Sequence, residues 1–290
     1  MGRVSAVQVA SGFACAGLIF AVLALDWKVT DGWALHLLLV ALAVGSSWEM
    51  VRMLRGAGHA PCASLAVVGA LAPLALTVPV FGSPALLERA AAPLVLVVLI
   101  GAVAVQLSRP GPKSAADVAF TLIAAVYPGL TLAYFSLLGR LPPAAGAAGY
   151  YVGWPLLFIF VVKANDILAY LLGSALGRRP FSAVSPNKTV EGSLLGFAGG
   201  VCVSYAAWLL FGIDGFNWWR PLLFGVAIGP LAQAGDLAES LVKRYAGVKD
   251  SGRVVPGSGG VFDFCDCFLL AAPVAWLILA AQTGALRCFA

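Results

Sequence analysis

Nine stretches of nearly unbroken apolar residues divide this chain, each about as long as a helix needs to be to cross a bilayer. They run roughly over 5–25, 33–54, 63–81, 90–107, 117–138, 150–172, 190–212, 221–243 and 262–282. Breakers separate them: Gly56 and Gly58, Ser83-Pro84, Pro110-Gly111-Pro112, Pro142-Pro143, Pro180 and Pro186. Backbone polar groups in hydrocarbon must find partners within the chain, and runs of about 20 residues suit helices and not the shorter, tilted strands of a barrel. The pattern predicts an all-α, polytopic integral membrane protein with about nine transmembrane helices. The first run is too long for a signal peptide and leads directly into further spans, so it is read as a retained helix.

Composition agrees with the pattern. Of 290 residues, 61% are hydrophobic and 11% charged, which excludes a soluble fold. The net charge of +5 is modest, and no nucleic-acid partner is expected. Six cysteines form no C-x-x-C pair and have no histidine at ligand spacing, which argues against a disulfide framework or a zinc site. His36 is read as a packed helix residue and His59 as a loop residue, leaving no basis for a histidine catalyst.

The distribution of charge is more informative than its sum. Arg3, Arg52, Arg55, Arg109, Lys113, Arg178, Arg179, Lys188, Lys243, Arg244, Lys249 and Arg253 fall on one side of the predicted layout. Lys28, Arg89, Arg140, Arg220 and Arg287 fall on the other, and Lys163 lies within the sixth run. Basic residues gather in cytoplasmic loops, so the N-terminus and the loops after the sixth and eighth helices are expected in the cytoplasm, facing soluble nucleotides across the cell membrane. Residues 1–145, about five helices, are chemically quiet. Their one buried-looking acid, Glu49, is read as a local ion pair with Arg52 at i+3. Residues 146–290, about four helices with cytoplasmic loops, hold the polar chemistry.

That chemistry centres on Gly235 to Asp266, where five acids and four bases lie between two apolar runs and touch both. Charge near membrane depth is costly without a partner or a task. Asp236, Glu239, Ser240 and Lys243 recur at i, i+3, i+4 and i+7 on one helix face, followed by Arg244, Lys249, Asp250 and Arg253. A turn of Pro256, Gly257, Ser258, Gly259 and Gly260 then leads to Asp263 and Asp266, which share a face. Carboxylates from two helices can hold a hard divalent cation, and backbone amides of a glycine turn can cradle phosphate. Acids for metal beside bases for phosphate suit phosphoryl or nucleotidyl transfer. Upstream, Lys163, Asp166 and Tyr170 share a face of the sixth helix, where the Lys–Asp pair is equally compatible with a structural and a functional role. Ser185 reads as an N-cap with Pro186 at the first helical position, putting Lys188 and Thr189 in a first turn that could receive phosphate. Gly192, Gly196 and Gly200 read as a helix-packing face.

These residues resemble the phosphatidate cytidylyltransferase family, the CDP-diacylglycerol synthases. The family's C-terminal pattern is met by Gly235 to Leu237, Ser240, Lys243, Arg244, Lys249, Asp250, Pro256, Gly257, Gly259, Gly260, Asp263 and Asp266. Its N-D-x-x-A-Y element is similar to Asn165, Asp166, Ala169 and Tyr170. Its S-P-x-K-T-x-E-G element is similar to Ser185, Pro186, Lys188, Thr189, Glu191 and Gly192. Ser258 stands where the family has His, and Phe264 where it has Arg. The resemblance covers about residues 160–270.

It implies transfer of the cytidylyl group of CTP to phosphatidic acid, with release of pyrophosphate. The implied catalytic residues are Asp236, Lys243, Arg244 and Asp263. Asp236, Asp263 and Asp266 would hold Mg²⁺, with a second cation left open and Asp166 nearby. Asn165, Asp166, Ser185, Lys188, Thr189, Ser240, Lys249, Gly257, Ser258, Gly259 and Gly260 would bind the substrates, and the family implies a homodimer. Two alternatives stand beside this reading. One is a paralogue with another anionic lipid acceptor or weakened activity, motivated by Ser258 and Phe264. The other is a cation-coupled transporter using Asp166, Asp236 and Asp263.

Overall fold

The computed structural model describes residues 6–79, 83–142, 149–211, 217–254 and 259–285, with side chains from residue 14 onward. Arg3, Pro143, Pro256, Gly257, Ser258 and Arg287 lie outside the described residues. The helices are α1 (Ala6–Leu25), α2 (Trp33–Gly56), α3 (Ala63–Ala75), α4 (Pro84–Ser108), α5 (Ser114–Leu138), α6 (Gly153–Leu176), α7 (Val190–Leu210), α8 (Trp219–Tyr245), α9 (Val261–Leu269) and α10 (Ala271–Gln282), with a π-helical turn at Asp26–Thr30. Among the described residues there is no strand, only an isolated antiparallel bridge between Pro180 and Thr189.

Each predicted run is matched by a helix, with two differences. The run at 63–81 becomes α3, which stops at Ala75; Pro79 follows shortly after and cannot continue a helix. At 13 residues α3 is about 20 Å long, short of the hydrocarbon thickness of about 30 Å. The last run is divided into α9 and α10. Pro273 has no N–H to offer the Leu269 carbonyl, and the helix breaks at Leu270. Counting α9 and α10 as one span, seven described helices are long and apolar enough to cross a membrane. The chain is an all-α polytopic membrane protein, with seven such spans among the described residues against the nine expected.

The chain forms two compact units, each made of two segments. The first comprises Met1–Ser136 and Val242–Cys265. Its core is built from Leu39, Ala43, Met50 and Leu54 of α2, Ala66, Ala70 and Leu74 of α3, and Ala124, Ala125 and Leu132 of α5. The start of α2 is fixed by buried Asp26, whose carboxylate accepts from the amides of Ala34 (2.8 Å) and Leu35 (2.9 Å), two groups without partners inside the helix. Close approach of α2 and α9 depends on Gly45, where a Cβ would come within 2.8 Å of the Val261 side chain.

The second unit comprises Leu137–Leu241 and Asp266–Ala290. Trp154, Leu157 and Phe158 of α6, Trp208 of α7, Phe224 and Ile228 of α8, and Trp276 of α10 fill its core. The α7 glycines are a packing face: a Cβ at Gly196 would lie 2.6 Å from that of Ala169, and one at Gly192 would lie 2.6 Å from the Gly173 Cα. Only hydrogen at these positions lets α6 and α7 meet backbone to backbone.

Candidate active site

In the second unit, α8 presents Asp236 and Glu239 on successive turns, and α9 contributes Asp266. Ligand-capable oxygens of these three acids lie within 4.8 Å of one another. Glu239 is fully buried and Asp236 half-buried. Like charges held this close repel unless a cation or proton intervenes. Lys188 meets part of that need through an ion pair with Asp236. Three carboxylates offer only hard oxygen donors, a set suited to Mg²⁺ or Ca²⁺ and not to a soft metal.

Lys188 reaches Asp236 because of the chain's path before α7. The sequence suggested Ser185 as the cap; instead the helix begins at Val190, and the Thr189 side chain accepts from the Gly192 amide at 3.1 Å. Phe181 donates to the Lys188 carbonyl (2.7 Å) and Val190 to that of Arg179 (2.9 Å), so the residues before α7 are held extended against 179–181. This pairing outweighs the local Ser-Pro signal. Ser185 serves the turn instead, its carbonyl accepting from the Lys188 amide at 3.1 Å. Glu191 closes the loop by accepting from the amides of Arg178 (2.9 Å) and Arg179 (3.2 Å).

On α6, Asp166 lies 4.0 Å from Lys163 and within charge–charge range of Asp236 and Lys188. Lys163 also donates to the Cys267 sulfur at 3.3 Å and sits 4.7 Å from the Phe268 ring centre, tying α6 to α9. Asn165 is fully buried, and its side-chain carbonyl accepts from Gln233 at 2.9 Å. Gln233 also donates to the Ser193 carbonyl (3.0 Å) and accepts from the Ser193 hydroxyl, joining α6, α7 and α8 by one amide. Tyr170 is exposed.

In the first unit, Asp263 is the hub of a second network. One carboxylate oxygen accepts from Lys243 at 2.7 Å. The other accepts from the amides of Ser251 (2.9 Å) and Gly260 (2.6 Å) and lies 2.9 Å from the Ser251 hydroxyl. Asp263 therefore closes the turn between α8 and α9. Gly259 has φ +101°, backbone that favours glycine. Arg244, Lys249 and Arg253 are exposed on this unit's surface, and Arg244 reaches the Val248 carbonyl at 3.5 Å. Ser240, on the second unit's part of α8, is buried.

Two features of these networks escaped the sequence. Helical spacing puts Glu239 on the α8 face but gives it no place among the expected ligands. Glu49, expected to pair with Arg52, instead has its partners in a distant segment. The Glu49 carboxylate accepts from the Ser251 hydroxyl (2.8 Å) and the Phe262 amide (2.9 Å), while Arg52 donates to the Ser251 carbonyl at 2.9 Å. The nearby turn offers both side chains better partners than each other.

A family model described as the cytidylyltransferase family matches residues 7–282. Among curated relatives, a phosphatidate cytidylyltransferase of Synechocystis is 34% identical over 195 residues, 59% of this chain and 64% of that protein. One of Helicobacter pylori strain J99 is 39% identical over 147 residues, 51% of this chain and 52% of its own. One of Bacillus subtilis is 34% identical over 172 residues, 57% and 59% respectively. The matched segments thus span 52% to 64% of these relatives' own lengths. With nearly the whole chain matched by the family model, this protein belongs to the cytidylyltransferase family.

Proposed function

We propose that the protein transfers the cytidylyl group of CTP to phosphatidic acid, giving CDP-diacylglycerol and pyrophosphate. The observation that carries this reading is the Asp236, Glu239 and Asp266 cluster with Lys188 ion-paired to its edge. Acid and base in one place suit a nucleotide triphosphate, which brings both a cation requirement and negative charge. The relatives' shared name supports phosphatidate as acceptor over another anionic lipid. Family membership gives no support to a transporter.

Asp236, Glu239 and Asp266 would hold the divalent cation, Mg²⁺ by the chemistry of the donors. Bound there, such an ion would supply Lewis-acid polarisation of a nucleotide phosphate and offset the charge of pyrophosphate. Lys188 neutralises phosphate charge from the α7 side, where the N-terminal amides add to the attraction for an anion. The resemblance also assigns Lys243, Arg244 and Lys249 to the phosphates of the substrates, and Asp263 keeps the turn after α8 in shape. Phosphatidate is already an anion at neutral pH, so one of its phosphate oxygens attacks the α-phosphorus without a general base. A new P–O bond forms as the bond to the β-phosphate breaks, and pyrophosphate leaves. The acyl chains remain in the bilayer. The N-terminus and the catalytic loops lie on the cytoplasmic side, the source of CTP, and the protein works as a homodimer.

The deciding experiment supplies purified protein in lipid vesicles with labelled CTP, Mg²⁺ and phosphatidic acid. Label should enter the lipid fraction with matching pyrophosphate release. Absence of both, with the protein folded, overturns the reading.

A further inference from the structure

Glu49 lies on α2, in the part of the sequence that otherwise carries no chemistry, and is 3% exposed. Both of its hydrogen bonds go to the distant turn that leads from α8 into α9, across 202 and 213 residues of sequence. They grip Ser251, within that turn, and Phe262, in the first turn of α9. One turn further along α2, Arg52 holds the carbonyl of the same Ser251. The turn's backbone lies against the Glu49 carboxylate, since a Cβ at Gly252 or Gly260 would collide with its oxygens.

The Ser251 hydroxyl has one proton and two carboxylate neighbours, Glu49 and Asp263. The Asp263 oxygen it faces already accepts two backbone amides, whereas the Glu49 oxygen has one. The proton therefore goes to Glu49. The second Glu49 oxygen, Oε1, is buried with no hydrogen-bond partner. A carboxylate held in an apolar helix bundle with half its acceptor capacity unused is a poor choice for packing alone. Leucine would fill the space at lower cost.

We infer that Glu49 is a positioning residue: through Ser251 and Phe262 it fixes the approach to α9, and with it Lys249, two residues before Ser251, as a cation for the phosphates of the nucleotide. The nucleotide part of this inference rests on the proposed CTP chemistry. Glu49 acts by accepting hydrogen bonds, so a side chain of similar size without acceptors should fail, and a neutral acceptor should largely restore function.

The test compares Glu49→Leu, Glu49→Gln and Ser251→Ala in the full-length protein in detergent. It reads the KM for CTP and kcat from pyrophosphate release, backbone hydrogen exchange over residues 248–265, and the thermal midpoint. Glu49→Leu should raise the KM for CTP by about tenfold or more, with kcat within about threefold. Exchange over 248–265 should quicken by about tenfold with little change elsewhere. Glu49→Gln should recover most of both effects, and Ser251→Ala, which keeps Glu49 itself, should reproduce them in smaller measure. Unchanged exchange over 248–265 in both Glu49→Leu and Ser251→Ala overturns the inference. So does equal loss in Glu49→Leu and Glu49→Gln. If the parent protein releases no pyrophosphate from CTP, the proposed activity fails while the exchange comparison still decides the role of Glu49. Should Glu49→Leu not fold, Ser251→Ala carries the same comparison.

Discussion

Lys188 and Asp236 are 48 residues apart in sequence and form an ion pair that links the approach to α7 with the middle of α8. Neither side chain is fully buried, so the pair alone adds little to stability. Its significance is that a cation is held beside three clustered acids. Lys188→Ala should lower kcat/KM for CTP by about 10²-fold, and Asp236→Asn by 10²- to 10³-fold, the scale on which charged groups stabilise phosphoryl-type transition states. The double variant should lose less than the product of the two, because each single change already deprives its partner. Steady-state pyrophosphate release from the four proteins checks this. Full additivity would mean the pair is not a working unit.

Removal of divalent cations tests the acid cluster directly. EDTA should abolish pyrophosphate release, and Mg²⁺ should restore it. Glu239→Gln keeps size but removes one charge, so it should raise the Mg²⁺ concentration for half-maximal rate by about tenfold or more, more than it alters the KM for CTP. A Mg²⁺ titration of variant and parent separates the two. An unchanged requirement in Glu239→Gln would remove this residue from the ligand set.

The fold was readable because hydrophobic length dominates in a bilayer protein: each predicted run became a helix, and its errors trace to proline. Pro79 shortened α3, and Pro273 divided the last span. The face of α8 was readable for a similar reason, since Asp236, Glu239 and Lys243 obey helical spacing whatever surrounds them. What could not be read was long-range pairing. Nothing near Glu49 announces Ser251, and Arg52 at i+3 offered a plausible false partner. Thr189 displaced Ser185 as the cap because pairing of residues 179–181 with 188–190 overrides a local preference. Gln233 did carry a signal, as a polar residue within an apolar span. Its partners on α6 and α7 became visible only once the helices were packed.

The glycine face of α7 makes a prediction about stability and not about chemistry. Gly196→Val would drive a branched side chain into the Asn165 carbonyl and Ala169, where even a Cβ would be at 2.5–2.6 Å. Such overpacking costs about 1–3 kcal/mol or more when backbone is the obstacle. The thermal midpoint in detergent should fall by several degrees. Gly199→Ala tests the neighbouring position: there the nearest atom is the mobile end of Leu168, which can turn aside, so the fall should be smaller.

Phe264 and Ser258 are the two places where the chain leaves the family pattern that it otherwise follows. The acceptor phosphate carries its own negative charge, so a histidine at 258 is not needed to remove a proton, and Ser258→His should change kcat for phosphatidate by less than about threefold. Phe264 is different, because the arginine of the family pattern carries a fixed charge that attracts a polyanion. Phe264→Arg should lower the KM for CTP by about three- to tenfold and make it more sensitive to salt, since exposed charge is screened over about 10 Å at 0.1 M. Titrating CTP at two salt concentrations with phosphatidate held constant checks both variants. A large gain in kcat from Ser258→His would show that position 258 takes part in the chemical step, and an unaltered KM in Phe264→Arg would place position 264 away from the nucleotide.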